Sequence, residues 1–165
     1  METFICEKIV RVIKNRKVLE QKLGVSITNQ GKEVTIDGPP ESEYFAEKVI
    51  SALDFGFPFA VALLVKDDEF MFEILSIKEF TRKKNLREVR ARLIGTKGKT
   101  LRALQDLTGC HFEIKENSVG IIGDPEYIRN AQEAVTSLIR GAKQGNVYAF
   151  LEKRHPKPVL DLGLK

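Results

Sequence analysis

Laid over itself with an offset of 85 positions and no gaps, the chain matches residues 9–56 to 94–141, and this self-similarity limits the fold more than any other feature. Ile9 falls on Ile94, Lys14 on Lys99, Leu19 on Leu104 and Gly24 on Gly109. The register then holds through Val34/Val119, Ile36/Ile121, Gly38/Gly123, Pro40/Pro125, Ala46/Ala131, Leu53/Leu138 and Gly56/Gly141. A period this long exceeds the roughly 20–50 residues of a solenoid repeat, so it marks a duplicated domain, and 165 residues suffice for two small ones. Each copy reads as a helix ending at Gly24 or Gly109, followed by two short strands, near 25–29 and 33–37 or 110–115 and 118–122. A Gly-x-Pro turn then opens a closing helix, where proline suits the first turn and Asp124 suits the N-cap. Ile128, Ala131, Val135 and Leu138 form the buried stripe of that helix in the second copy; Phe45, Val49 and Leu53 do so in the first.

The spacing predicts an α+β chain of four parts: a first unit over 1–56, a connecting helix over 57–68, a second unit over 69–142, and a short helix with a tail over 143–165. The first unit opens on a strand at Thr3–Cys6 and the second on one at Phe70–Ile77. Phe57, Phe59 and Leu63 are expected to pack the two units together. The tail over 155–165 reads as irregular or mobile.

The copies differ at one stretch. In the second, a helical pattern carrying Leu86, Val89 and Leu93 meets another opening at Leu101 and Leu104 across Ile94-Gly95-Thr96-Lys97-Gly98-Lys99-Thr100. Two glycines let a foreign backbone approach, and the helix starting there directs free N–H groups and its positive end at whatever arrives, as a phosphate clamp requires. The ungapped offset places Val10 and Ile13 opposite Gly95 and Gly98, so the first copy has no such cradle. There the offset predicts one continuous helix over about 8–22, with the loop deleted.

Charge collects at the same place. Net charge is only +4, yet residues 82–102 hold nine Lys or Arg against Glu88 alone; that segment is +8 and the remainder is −4. A phosphate backbone is the partner such a concentration suits. Gly98-Lys99-Thr100 also looks like the end of a P-loop, but Leu93 stands where its first glycine belongs and a helix, not a strand, leads in. Cys6 and Cys110 lie far apart and the histidines are only His111 and His155, so neither a metal set nor a Cys/His catalytic pair suggests itself. No paired carboxylates or activated nucleophile point to an enzyme, and no cofactor is implied. The opening residues lack a signal peptide and the longest uncharged apolar run, Phe55 to Val65, is too short to span a bilayer. The expectation is a reduced, cytoplasmic protein.

The run Ile94-Gly-x-x-Gly98, Leu101, Leu104, Thr108-Gly109, Phe112 and Ile114 resembles the core signature of a type I KH domain, whose GxxG loop grips about four single-stranded nucleotides. The resemblance implies two tandem KH units, each a three-stranded antiparallel sheet backed by helices, the first degenerate. The blocks Arg90–Thr100, Val119–Asp124 and Gly145–Glu152 extend it to the two-KH-domain small-subunit assembly factors of archaea and eukaryotes. That family implies binding of single-stranded precursor rRNA near the three-prime end of the small-subunit rRNA. It also implies as partners an rRNA-processing endonuclease and, in archaea, the alpha subunit of initiation factor two. On this reading Gly95, Thr96, Lys97 and Gly98 hold phosphates, Lys99 and Arg102 add charge, and Arg90 and Arg92 flank the groove. Ile94, Leu101 and Phe112 serve as its apolar floor or as core, and His111 either reaches a base or, the safer reading, is an exposed strand residue. The competing reading is a protein–protein adaptor with KH-like platforms, for which RNA binding is incidental.

Overall fold

The computed structural model describes residues 1–154, and the βααββα order of elements occurs in it twice. The first unit runs β1 (Glu2–Ile5), α1 (Ile9–Lys14), α2 (Arg16–Leu23), β2 (Ser26–Gln30), β3 (Glu33–Asp37) and α3 (Pro40–Phe55). A short connector comes next, α4 (Phe59–Ala62) and a 3-10 turn at Leu63–Val65. The second unit runs β4 (Met71–Ser76), α5 (Leu86–Ile94), α6 (Lys99–Thr108), β5 (His111–Lys115), β6 (Ser118–Gly123) and α7 (Pro125–Ile139), with α8 (Gln144–Lys153) after it. The sheets are antiparallel with orders β1-β3-β2 and β4-β6-β5, each backed by helices, as the KH resemblance implied. The tail expected over 155–165 lies outside the described residues.

Strand alternation fixes which way each sheet faces. Val34 and Ile36 turn inward beneath α3, whose Ala46, Val49, Ile50 and Leu53 are fully buried. Val119 and Ile121 do the same beneath α7. Asp124 caps α7 by accepting from Glu126 N at 2.8 Å, and α8 completes this second core with Val147 and Leu151.

The two units also share hydrogen bonds that show how they correspond. Glu20 Oε2 accepts from Ile27 N at 2.8 Å, and Gln105 Oε1 from Phe112 N at 3.4 Å; both members of the pair are offset by 85. Arg11 donates from Nη1 to Leu53 O at 2.5 Å and from Nη2 to Phe57 O at 2.8 Å. Arg92 donates in the same way to Leu138 O, at 2.6 Å, and to Ala142 O. The acceptors are again 85 apart, but the arginines are 81 apart. Four residues are therefore missing from the first copy between Ile13 and Lys14, and their counterparts are Gly95, Thr96, Lys97 and Gly98.

This corrects the ungapped alignment. Val10 and Ile13 stand for Ala91 and Ile94, not for the glycines. The helix expected over 8–22 is two helices that meet at Asn15 (φ −105°, ψ 9°), whose Nδ2 donates to Arg11 O at 2.7 Å. The elbow survives, and only its loop has been removed.

The units interlock. On the outer face of the second sheet, Gly120 carries no side chain, and a Cβ there would come within 2.7 Å of the Phe55 ring. Phe55, Phe57 and Phe72 form an aromatic cluster with centroids 5.7–5.9 Å apart, joining the end of α3 to β4. Ile122, on β6, is buried in the first unit's core, and Lys115 Nζ meets Glu7 Oε2 at 3.2 Å. Phe57 joins the units through Phe72, while Phe59 and Leu63 pack against the first unit's core.

Candidate nucleic-acid interface

The glycine loop departs from helical backbone at three of its four residues. Gly95 adopts φ 76°, ψ 169°, a region essentially confined to glycine, and a Cβ there would lie 2.2 Å from Thr100 Oγ1. Lys97 (φ 54°, ψ 28°) and Gly98 (φ 77°, ψ 15°) are left-handed. This path turns the chain back on itself within four residues and leaves the Thr96 and Lys97 side chains exposed at the tip.

The loop leads into an open helix end. Asn85 caps α5 by accepting from Glu88 N at 3.2 Å, and Asp124 caps α7, but among the described residues no side chain caps α6. Its first-turn N–H groups and positive end point into the loop, where an anion would complete them. The exposed Lys97, Lys99 and Arg102 surround this end.

Hydrogen bonds define the direction each helix face takes. Arg90 and Ile94 are four apart on α5 and so share a face, and Arg90 Nη1 donates to Asn117 Oδ1 in the β5–β6 turn. Leu101 and Gln105 share a face of α6 in the same way, and Gln105 reaches the β5 backbone. Ile94 and Leu101 therefore face the β5 edge. Ile94 remains 38% exposed and Leu101 and Ile114 are half-buried, giving an apolar strip beside the loop. Phe112 is buried core.

Two expected residues land elsewhere. Arg92 lies on the opposite side of α5, its guanidinium engaged by the carbonyls at the end of α7, so it braces the elbow instead of lining the strip. His111 is half-buried, not exposed: it pairs with Ile122 on the sheet face covered by the first unit, and burial lowers its pKa. The Arg11/Arg92 brace was invisible in the sequence, since an arginine in a basic run reads as a solvated face.

Behind the loop a second concavity of about 600 Å³ opens between the elbow and α8, where Gln144 Nε2 donates to Thr100 Oγ1 at 2.9 Å. Among the described residues, no Cys, His, Asp or Glu lines this concavity. Burial pushes the Cys6 and Cys110 thiols up to about 11, leaving both protonated. Among the described residues no His/Cys/Asp/Glu group could hold a metal and no helix is long and apolar enough to cross a membrane.

Residues 71–156 match the family model described as the eukaryotic type KH domain (KH domain type I), in its form for the second unit of PNO1 proteins. The chain is 33% identical over 149 residues to a KH domain-containing protein of Methanocaldococcus jannaschii, covering 86% of this chain and 66% of that one. It is 34% identical over 111 residues to the pre-rRNA-processing protein pno1 of Emericella nidulans, covering 65% of this chain and 43% of that one. It thus spans about two thirds of the archaeal relative and less than half of the fungal one. Its fold superposes, with a TM-score of 0.84 and 28% identity, on a chain in the solved a/eIF2alpha–aDim2p–rRNA complex of Pyrococcus horikoshii, covering 93% of this chain and 92% of that one. With the two KH-like units, the loop and the matched second unit in agreement, the chain belongs to the type I KH family of the PNO1 and Dim2p proteins.

Proposed function

We propose that this protein binds single-stranded small-subunit rRNA or its precursor, near the three-prime end, during ribosome assembly, through the GxxG loop of the second unit. The observation that carries the reading is the uncapped N-terminus of α6 behind a loop whose backbone only glycine can form, inside the most basic segment of the chain. Phosphates sit on the α6 amides, Thr96 and Lys97; Lys99 and Arg102 add charge. Bases lie along Ile94 and Leu101, and Arg90 closes the far end at Asn117. The work is binding, without catalysis or a cofactor, in the cytoplasm. The rRNA and initiation-factor components named in the Pyrococcus complex support corresponding partners here, and an rRNA-processing endonuclease is the third.

The test is the double variant Thr96→Asp, Lys97→Asp. Both side chains are exposed, and aspartate tolerates the left-handed backbone of position 97, so folding changes by only about 0.5 kcal/mol. A charge-assisted contact is worth about 1.5–3 kcal/mol, so affinity for single-stranded RNA falls at least about tenfold. Unchanged affinity in a folded double variant would remove the loop as the clamp and leave the adaptor reading.

A further inference from the structure

We propose that the concavity behind the loop is a second nucleotide site: it takes one base of the RNA strand that continues off the GxxG loop, stacked on Tyr148. This rests on the RNA reading of the loop and extends it to the opposite side of the elbow.

Three observations carry it. The first is position: Gly95 and Thr96 line this cleft as well as forming the clamp, so the loop is a wall between two depressions and a strand lying over it enters one on each side. The second is chemistry. Arg92 and Lys99 contribute positive charge, no Asp or Glu among the described residues lines the cleft, Ala91 and Ala103 leave its floor open, and α8 supplies the half-buried ring of Tyr148. Sequence-tolerant stacking on an aromatic side chain within a basic groove is how single strands are commonly held. The concavity between the two units offers the opposite chemistry, lined by Asp67, Asp68 and Glu73 against Lys48.

The third is the comparison that the fold provides internally. With the four-residue gap placed, Ala91 and Ala103 correspond to Val10 and Val18, and Tyr148 to Leu63. The unit that lacks the loop also lacks the small floor and the aromatic ring. Leu63 and Tyr148 both pack against their own unit's core, and only the unit with the clamp has an aromatic ring at this position.

Anisotropy with the full chain tests this, using random-sequence single-stranded oligoribonucleotides of about four and about eight nucleotides, the shorter matching the loop's own footprint. Tyr148→Ala is expected to weaken the longer probe about fivefold or more and leave the shorter within about twofold; Tyr148→Phe binds both as the parent does. Ala103→Met fills the cleft without removing packing and gives the same selective loss, which covers the case of a Tyr148→Ala chain that does not fold. Equal weakening of both probes, or no change in either, overturns the proposal while leaving the loop clamp standing. If the parent protein binds neither probe, the RNA reading falls and the cleft with it.

Discussion

The two halves of this molecule are built on one plan and differ by four residues at the point that matters. Both have the elbow, the helix-to-strand hydrogen bond from Glu20 or Gln105, and the arginine that ties the elbow to the end of the closing helix. Only the second has Gly95-Thr96-Lys97-Gly98, and its basic segment is the stronger, +8 over residues 82–102 against +5 over residues 8–22; residues 1–56 as a whole carry a net charge of −1. The scaffold thus does not need the loop in order to fold, which separates what holds the structure from what touches the ligand.

The most severe way to break the comparison is to make the halves alike. Excising residues 95–98 should leave a folded chain, since the first unit shows that the elbow closes without them. Single-stranded RNA affinity should then fall at least about a hundredfold, several charge-assisted contacts being lost at about 1.5–3 kcal/mol each. The dependence of log K on log salt should flatten from a slope of about −2 to −3, expected for three or four phosphate contacts at about −0.7 each, towards zero. Retained binding would mean that the clamp lies elsewhere.

A second comparison concerns the braces. Arg11→Ala and Arg92→Ala each remove a charged donor from two carbonyls, so urea denaturation should show each costing about 1.5–3 kcal/mol. A large cost at one site with none at the other would undo their equivalence.

Smaller still is the effect of reversing charge in the first unit. Lys14→Asp with Lys17→Asp should change RNA affinity by less than about twofold, because exposed charges beyond about 8 Å are screened at physiological salt. A tenfold loss would give the first unit an RNA surface of its own.

The least effect is on acid stability. Burial holds the His111 imidazole below its ordinary value, so between that lowered value and about 6.5 the unfolded chain binds the extra proton. Stability is complete above that range and declines as pH falls through it. The first unit has exposed Ser26 at the matching position, and His111→Gln should flatten this part of the acid limb in a denaturation series. An unaltered limb would show that the covered sheet face does not desolvate His111.

Most of the architecture was legible in the sequence because it rests on period and punctuation. Apolar spacing located the closing helices, and Gly24, Gly109 and Pro125 marked boundaries that the structure places within a residue or two. The glycine loop was legible because only glycine serves there. What stayed hidden required knowledge of distance. A four-residue gap inside a helical stretch leaves the hydrophobic period nearly in phase, since four residues are close to one turn. Val10 and Ile13 therefore passed for replacements of glycines that have no counterpart at all. Arg92 and His111 were misplaced for a related reason: neither a carbonyl across the fold nor a neighbouring unit over a sheet face leaves a mark on the residue itself.

Strand β6 has a further consequence. Its Val119 and Ile121 belong to one hydrophobic core, its Ile122 to the other, and at Gly120 the Phe55 ring rests on bare backbone between them. Melting either half would strip apolar cover from a strand that the other half needs. Heat should therefore unfold the described pair in a single calorimetric transition, so that two copies descended from one ancestor now share one thermodynamic fate.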